Sequence, residues 1–445
     1  GMSARSIQAA IRFGLGPRPD QPVPADPEPW LLSQIDQPAP QPPPPAGFDH
    51  VPTVADGFRV WRERDAAGPV QPGKVTPVET YVMAESVAAC AWRIDTPAPF
   101  RERLVDFWTN HFTISRRAST QSNVTVPAFV RDVIRPNVTG RFVDMLIAST
   151  THPAMLGYLD QAASVGPDSP IGRKTGRGLN ENLAREVMEL HSVSPAAGYT
   201  QRDVTEFARL LTGWRYERDR EPYGTVFRDQ AHEPGVKTIL GQRFGGGLMV
   251  DGRAETEAAL RFLAAHPATH RYLATKLARH FVADDPPPAT VAKLEAVLRD
   301  TDGDLGAVSR ALVKLPEAWN PPLTKLRGPL DYVTAVYRTL GCDGAQVGEM
   351  AFKSAFGLGQ QLWGALQPNG WPDRAPDWLG PEPVMQRLDW CFETAGRFGR
   401  LEPMAVLDTA LGPLASDETR QAVARAGSPR EAIALLLASA EFQRR

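Results

Sequence analysis

The chain has 445 residues, 49 Lys+Arg against 51 Asp+Glu, and 42% hydrophobic side chains, enough to bury a large core with almost no net field. A formal charge of -2 lacks the basic excess that a dedicated nucleic-acid binder uses to neutralise phosphates, so nucleic acid is not expected as a partner. The longest apolar run, Ala432 to Ala440, is broken by Ser439 and falls far short of the roughly 20 residues that span a bilayer.

Gly1-Met2 reads as a tag-cleavage scar ahead of the native initiator and is left out of the fold reasoning. No long apolar leader and no Ala-x-Ala site follow, which predicts a cytoplasmic protein, with export alongside a partner as the alternative. A short amphipathic stretch, Ile7 to Phe13, gives way to a proline-dense segment from Pro17 to Pro52 that contains Pro42-Pro43-Pro44-Pro45. Proline donates no backbone hydrogen bond and favours extended geometry, so residues 2–52 are expected to form an N-terminal helix and a stiff wrapping segment.

Further along, Leu104, Phe107, Trp108 and Phe112 recur at helical spacing, as do Val204, Phe207, Ala208 and Leu211. Thr200 with Asp203, and Ser428-Pro429-Arg430-Glu431, are helix-start signals. Strand patterns are rare; Thr225-Val226-Phe227 and Thr238-Ile239-Leu240, around a loop with His232 and Gly235, suggest one small hairpin. Leu277 and Phe281 place Lys276 to Phe281 on an interior helix. Asp284-Asp285-Pro286-Pro287-Pro288 and Pro321-Pro322 punctuate the remainder. The expectation is a mainly α protein, a multi-helix globular body with one small β-hairpin excursion. A main body spans 53–320, and a C-terminal helical region, 321–445, packs on it. The three cysteines, Cys90, Cys342 and Cys391, are odd in number and far apart, and read as buried or incidental thiols.

The densest polar chemistry runs from Asn180 to His191. On a helix, Glu181, Asn182, Arg185, Glu186 and Glu189 fall within an arc of about 140°, opposite Leu183, Val187 and Leu190. Glu181 to Arg185 and Arg185 to Glu189 have ion-pair spacing, so one reading is an exposed salt ladder. A second is a buried hydrogen-bond network. The third is a cleft in which Arg185 holds a carboxylate while Glu186 and Glu189 share a divalent metal or divide acid and base roles. His111, beside Trp108 and Phe112, is either a satisfied core histidine or a site base. His152, before Pro153, reads as a cap-region residue. Asp160 is placed to accept from a histidine or from Arg185, and His232 sits in a loop. His266 and His270 have metal spacing, but Pro267 puts His266 outside the helix. Met188 occupies the position a Glu-x-x-His pair would need. Neither a phosphate loop nor a Gly-x-Ser-x-Gly elbow is present. Trp371 and Trp378 either pack over C-terminal helices or stack on a ligand ring.

Many short blocks recur in one order: Arg12-Phe13-Gly14-Leu15-Gly16, Phe107-Trp108-Thr109-Asn110-His111-Phe112 and His152 to Asp160 come first. Asn180 to Glu186, Glu189-Leu190-His191, Gly198 to Gln201 and Leu211 to Trp214 follow, then His266 to Thr269, Lys276 to Phe281, Gly370-Trp371-Pro372 and Glu441-Phe442. Together they resemble the bacterial family catalogued as domain of unknown function 1800, over essentially the whole chain. The resemblance brings no activity. It implies as a candidate partner a protein similar to sulfatases and alkaline phosphatases, a family often encoded beside it. The chain departs from the family pattern at Ser194-Pro195, where a glycine turn is usual, at Gln161 in place of Asn, and at Glu233 in place of Asp. The functional expectation is a ligand-binding or enzymatic helical protein whose cleft joins Glu186, Glu189, Arg185, His111 and Asp160 with Asn180, Glu181, Asn182 and His232, with metal-assisted hydrolysis as one chemistry. A non-catalytic binding or maturation partner of the phosphatase-like protein is the alternative.

Overall fold

The computed structural model describes residues 2–320 and 323–445. Pro321-Pro322, the third sequence break, lies outside the described residues. Among them are twenty-one α-helices and two two-stranded antiparallel sheets, so the fold is mainly α.

The helix starts are built as the sequence signals. Thr200 and Asp203 cap helix Gln201–Leu211 reciprocally, and Ser428 Oγ accepts the Glu431 N–H at the start of Pro429–Ala438. The Glu431 carboxylate accepts from Gly427 instead, leaving the second half of that box unmade. The first helix, Ala4–Arg12, is amphipathic as expected, and it is an interior element. Ser6 to Arg12 are all buried, and Gln8 and Arg12 donate to the Trp319 and Ala318 carbonyls.

The expected hairpin resolves differently. Thr225-Val226-Phe227 lies in β2 (Gly224–Phe227), paired with β1 (Trp214–Glu217), while Thr238-Ile239 lies in β3 (Val236–Ile239), paired with β4 (Gln242–Gly245). The two segments were expected to pair with each other, but each finds its own neighbour. The Leu240-Gly241 turn, with both φ angles positive, closes β3 on β4 directly.

Two large hydrophobic cores result. One gathers side chains from Ala9 to Trp319, including Phe100, Trp108, Phe142, Leu211 and Leu277. The other collects Leu330 to Phe442 together with Cys90 and Ile94 of helix Pro77–Asp95. Trp363 packs against both. All three cysteines are free and buried. Leu277 and Phe281 are in the first core, on helix Pro267–Phe281. No helix among the described residues is long and apolar enough to cross a membrane.

Candidate functional site

The Asn180–His191 segment is not one continuous α-helix. An α-helical turn, Asn182–Glu186, passes into a π-helical turn, Val187–His191. Wider winding after Glu186 breaks the regular angular spacing of the sequence arc. Arg185 pairs with Glu181 at 3.2 Å, as expected, but forms no ion pair with Glu189. Glu181 also accepts from Thr205 Oγ1 at 2.6 Å and from Gln201. The Asn180 side chain accepts the Asn182 N–H, and Asn182 Nδ2 donates to exposed Asp160 at 3.4 Å. These five residues therefore meet at the surface end of the segment, largely as its start-of-helix bonding.

Glu186 and Glu189 are half-buried and stand among tyrosines. Burial, with help from Glu189 and against Arg185, raises the Glu186 carboxyl. Burial and Glu186 push Tyr158 up to about 12, and burial and Glu189 do the same to Tyr272. Beneath them lies His111, whose Nε2 donates to the His191 carbonyl at 3.1 Å while Nδ1 accepts from Lys276 Nζ at 2.7 Å. Burial and Lys276 keep this ring neutral. Ser194 takes φ 64° with its N–H bonded to the Met188 carbonyl. That is left-handed geometry that favours glycine.

His232 does not join this group. Its Nδ1 donates to the Thr212 carbonyl at 2.8 Å, and Nε2 lies 3.0 Å from Glu255, which also holds fully buried Lys237 at 2.6 Å. Glu233 is tied to the Asp168 N–H and to Arg209. His152 caps helix Pro153–Tyr158 through Nδ1, as its position before Pro153 implies. Among the described residues no group of three or more His, Cys, Asp and Glu stands in position to hold a metal ion, so Glu186 and Glu189 find no third ligand of these types.

A second polar centre, at the seam of the two cores, was not singled out from sequence. Helix Pro99–His111 contributes Asp106, Thr109 and Asn110, helix Pro77–Asp95 contributes Arg93, and His280, Asp331, Asp373 and Arg445 are further polar residues in the wall of a cavity of about 150 Å³ that is otherwise lined mainly by apolar side chains such as Val105, Leu330 and Trp363. Charges alternate along it. Arg93 bridges Asp106 and, at 2.8 Å, Asp331; Arg445 lies 3.8 Å from Asp331 and 3.1 Å from Asp373; and Asp373 accepts from His280 Nδ1 at 3.1 Å. Burial, with Glu102 and Asp331 adding to it and Arg93 opposing, pushes Asp106 up to about 6. Asp331 and Asp373 stay well below the ordinary carboxylate range despite burial, held there by Arg93 and Arg445 and by His280, Arg445 and Lys325 respectively. Burial lowers His280 to about 4 even with Asp373 beside it, so its ring is neutral, with the proton on Nδ1 and a bare Nε2. Burial likewise lowers Lys276, one turn earlier on the same helix, to about 8.

Three buried polar atoms on the cavity-lining residues make no hydrogen bond: Thr109 Oγ1, His280 Nε2 and Arg445 Nε, the last standing 3.8 Å from Asp331. Buried polar groups in folded proteins are nearly always satisfied, by protein, water or ligand. The wall is completed by a loop clamped onto helix Pro99–His111. Asn110 Nδ2 donates to the Trp371 carbonyl at 3.1 Å and Asn110 Oδ1 accepts the Trp371 N–H at 2.8 Å. Gly370 makes the approach possible: its φ is +80°, and a Cβ there would stand 2.6 Å from Asn110 Oδ1 and 2.7 Å from Thr113 Oγ1. Gly370→Ala is accordingly expected to cost about 1–3 kcal/mol and to raise amide exchange at residues 370–373. An unchanged melting temperature and exchange pattern would contradict this.

Three of the recurrent blocks, Phe107–Phe112, Lys276–Phe281 and Gly370–Pro372, thus meet at one place. The readable signal for the missed residues was single charges inside apolar helical stretches: Arg93 in Ala91-Trp92-Arg93-Ile94, Asp106 in Leu104-Val105-Asp106-Phe107 and Asp331 in Leu330-Asp331-Tyr332. A charge rarely enters a core unless it is paired.

Fold and centre together define a large helical protein with a buried file of alternating charges at the junction of two cores. The chain belongs to the family described as "Protein of unknown function (DUF1800)", whose profile matches residues 8–444. No curated protein and no solved structure matches it.

Proposed function

We propose that the protein binds a small neutral acyl compound, an amide or ester, in the seam cavity and hydrolyses it with His280 as general base. The observation that carries this reading is the pair of unpartnered atoms on the cavity-lining residues, Thr109 Oγ1 and His280 Nε2. One is a hydroxyl that can donate and the other a bare acceptor. The charge file is already paired along its length, which favours a neutral group over an ion. An amide presents both a carbonyl to accept and an N–H to donate.

In this reading Asp373 fixes the His280 tautomer, and Nε2 takes a proton from water as its oxygen attacks the acyl carbon. The carbon–nitrogen or carbon–oxygen bond then breaks, and the leaving group recovers the proton from Nε2. Glu186, Glu189, Arg185, Asp160, Asn180, Glu181 and Asn182 act here as support. Their segment presents the His191 carbonyl to His111, and His111 in turn orients Lys276. His232 steadies the loop between the two sheets.

The test is ammonia release from a panel of primary amides by the purified protein. His280→Ala should lower the rate at least about 100-fold, within the usual range for a general base, and Asp373→Asn should lower it by disordering the tautomer. Wild-type activity should fall with a midpoint near pH 4, the value to which burial brings His280. No release and no binding by any amide, or rates indifferent to His280, would remove the proposal.

A second reading, non-catalytic attachment to a sulfatase- or phosphatase-like protein, is favoured by one observation. Helix Pro381–Arg397 leaves Val384, Met385, Leu388 and Phe392 exposed on one side. Co-sedimentation of the two purified proteins, lost in Leu388→Glu, is its test.

A further inference from the structure

The loop that carries Asp373 to the seam cavity also carries two indoles. Trp371 and Trp378 both stand in the cavity wall, as does Trp363. From sequence the pair either packs over the C-terminal helices or stacks on a ligand ring, and the structure puts both where a ligand would lie. Their ring centroids are 6.0 Å apart with the planes tilted by 39°. Both are partly exposed and Pro372 is exposed, so they stand where the cavity meets solvent.

Their positions are set from within the protein. Trp378 Nε1 donates to the Pro372 carbonyl at 3.1 Å, and the Trp371 backbone is held at both polar atoms by Asn110. With the Trp378 donor already used, that ring has only its π surface and edges to offer the cavity. Such a surface rewards a flat partner, because an aromatic ring in offset or edge-on contact gains beyond the area it buries. An alkyl group gains from area alone. The space suits one ring: about 150 Å³ is the size of an engineered apolar cavity that takes up benzene. A benzamide is also nearly rigid, so it loses few torsions on binding.

We infer that the compound taken up in the seam is a single-ring aromatic amide of the benzamide class, with its ring against Trp371 and Trp378 and its carboxamide at Thr109 and His280. This rests on the reading of the seam cavity given above and adds the part of the substrate remote from the bond that breaks.

The experiment is calorimetric titration of the full chain with benzamide, cyclohexanecarboxamide and acetamide, which share a head group and differ in ring and in flatness. Benzamide should bind with a stoichiometry of one and at least about fivefold more tightly than cyclohexanecarboxamide, the gain expected of two aromatic contacts beyond the area they bury. Trp371→Leu with Trp378→Leu should bring the two ring amides within about twofold of each other. Trp378→Phe keeps an aromatic face and should retain the preference, which separates loss of the contact from a disturbed loop. Cyclohexanecarboxamide binding as tightly as benzamide, or a preference that survives the double leucine variant, would overturn the aromatic site while leaving the seam reading standing. No binding by any of the three would overturn both.

Discussion

Arg93→Met is expected to cost the fold about 3–5 kcal/mol at pH 8, the usual penalty for removing one partner from a buried ion pair, and distinctly less at pH 5. Arg93 is 3% exposed and is the cation between Asp106 and Asp331. Its remaining donor reaches Thr334 Oγ1 at 3.2 Å. Methionine fills similar volume, so the loss is electrostatic rather than a cavity. At pH 8 two carboxylates, Asp106 29% and Asp331 24% exposed, are left facing each other without the buried cation between them. At pH 5 Asp106, which burial already lifts to about 6 with Arg93 present, takes up a proton and the crowding is relieved. Asp331 then keeps Arg445 at 3.8 Å. Urea titrations of wild type and variant at both pH values measure the difference. A loss below about 1 kcal/mol at pH 8, in the range of exposed pairs, would show that solvent in the cavity and not Arg93 carries these carboxylates.

Acid is the second large lever. His111, His191 and His280 are all held neutral by burial, with His191 lowered to about 3 and His280 to about 4. A histidine whose folded pKa is depressed leaves the unfolded chain binding the proton first. Stability is therefore complete above about pH 6.5 and falls as pH drops toward the folded value. His280 and His191 should each withdraw about 3 kcal/mol by pH 4. Asp106, Glu85 and Glu186 work in the opposite direction, because their raised carboxyls bind protons in the folded state first and gain stability on acidification. Asp106 returns about 2 kcal/mol of the loss between pH 6 and 4. The histidines outweigh it, His111 adding to the loss in the same direction, and a net loss of at least about 4 kcal/mol between pH 7 and pH 4 is expected. Thermal melts across that interval, with the His280 ring followed by NMR, provide the check. Constant or rising stability from pH 7 to pH 5 would contradict the three neutral histidines.

The sequence by itself determined the helical class, several helix starts and the family. Each of these is written in local terms: a Thr200–Asp203 pair, a 3.6-residue apolar period, a set of short ordered blocks. It also determined that Leu277 and Phe281 are core, since two large apolar side chains four apart on a helix leave few alternatives. Tertiary structure decided everything that depends on which surfaces meet. The Asn180 segment reads as a polar arc under uniform α winding, and only the packed structure shows the π turn that separates Arg185 from Glu189. Thr225–Phe227 and Thr238–Leu240 both look like strands, but a strand pattern does not name its partner, and each pairs with a neighbour that shows weaker alternation. The seam is the extreme case. Arg93, Asp106, His280, Asp331, Asp373 and Arg445 are scattered over most of the chain, and each alone looks like an isolated charge or a helix-end residue. Their meaning lies in the alternation of sign along a buried wall, and that order exists only once two cores have closed on each other.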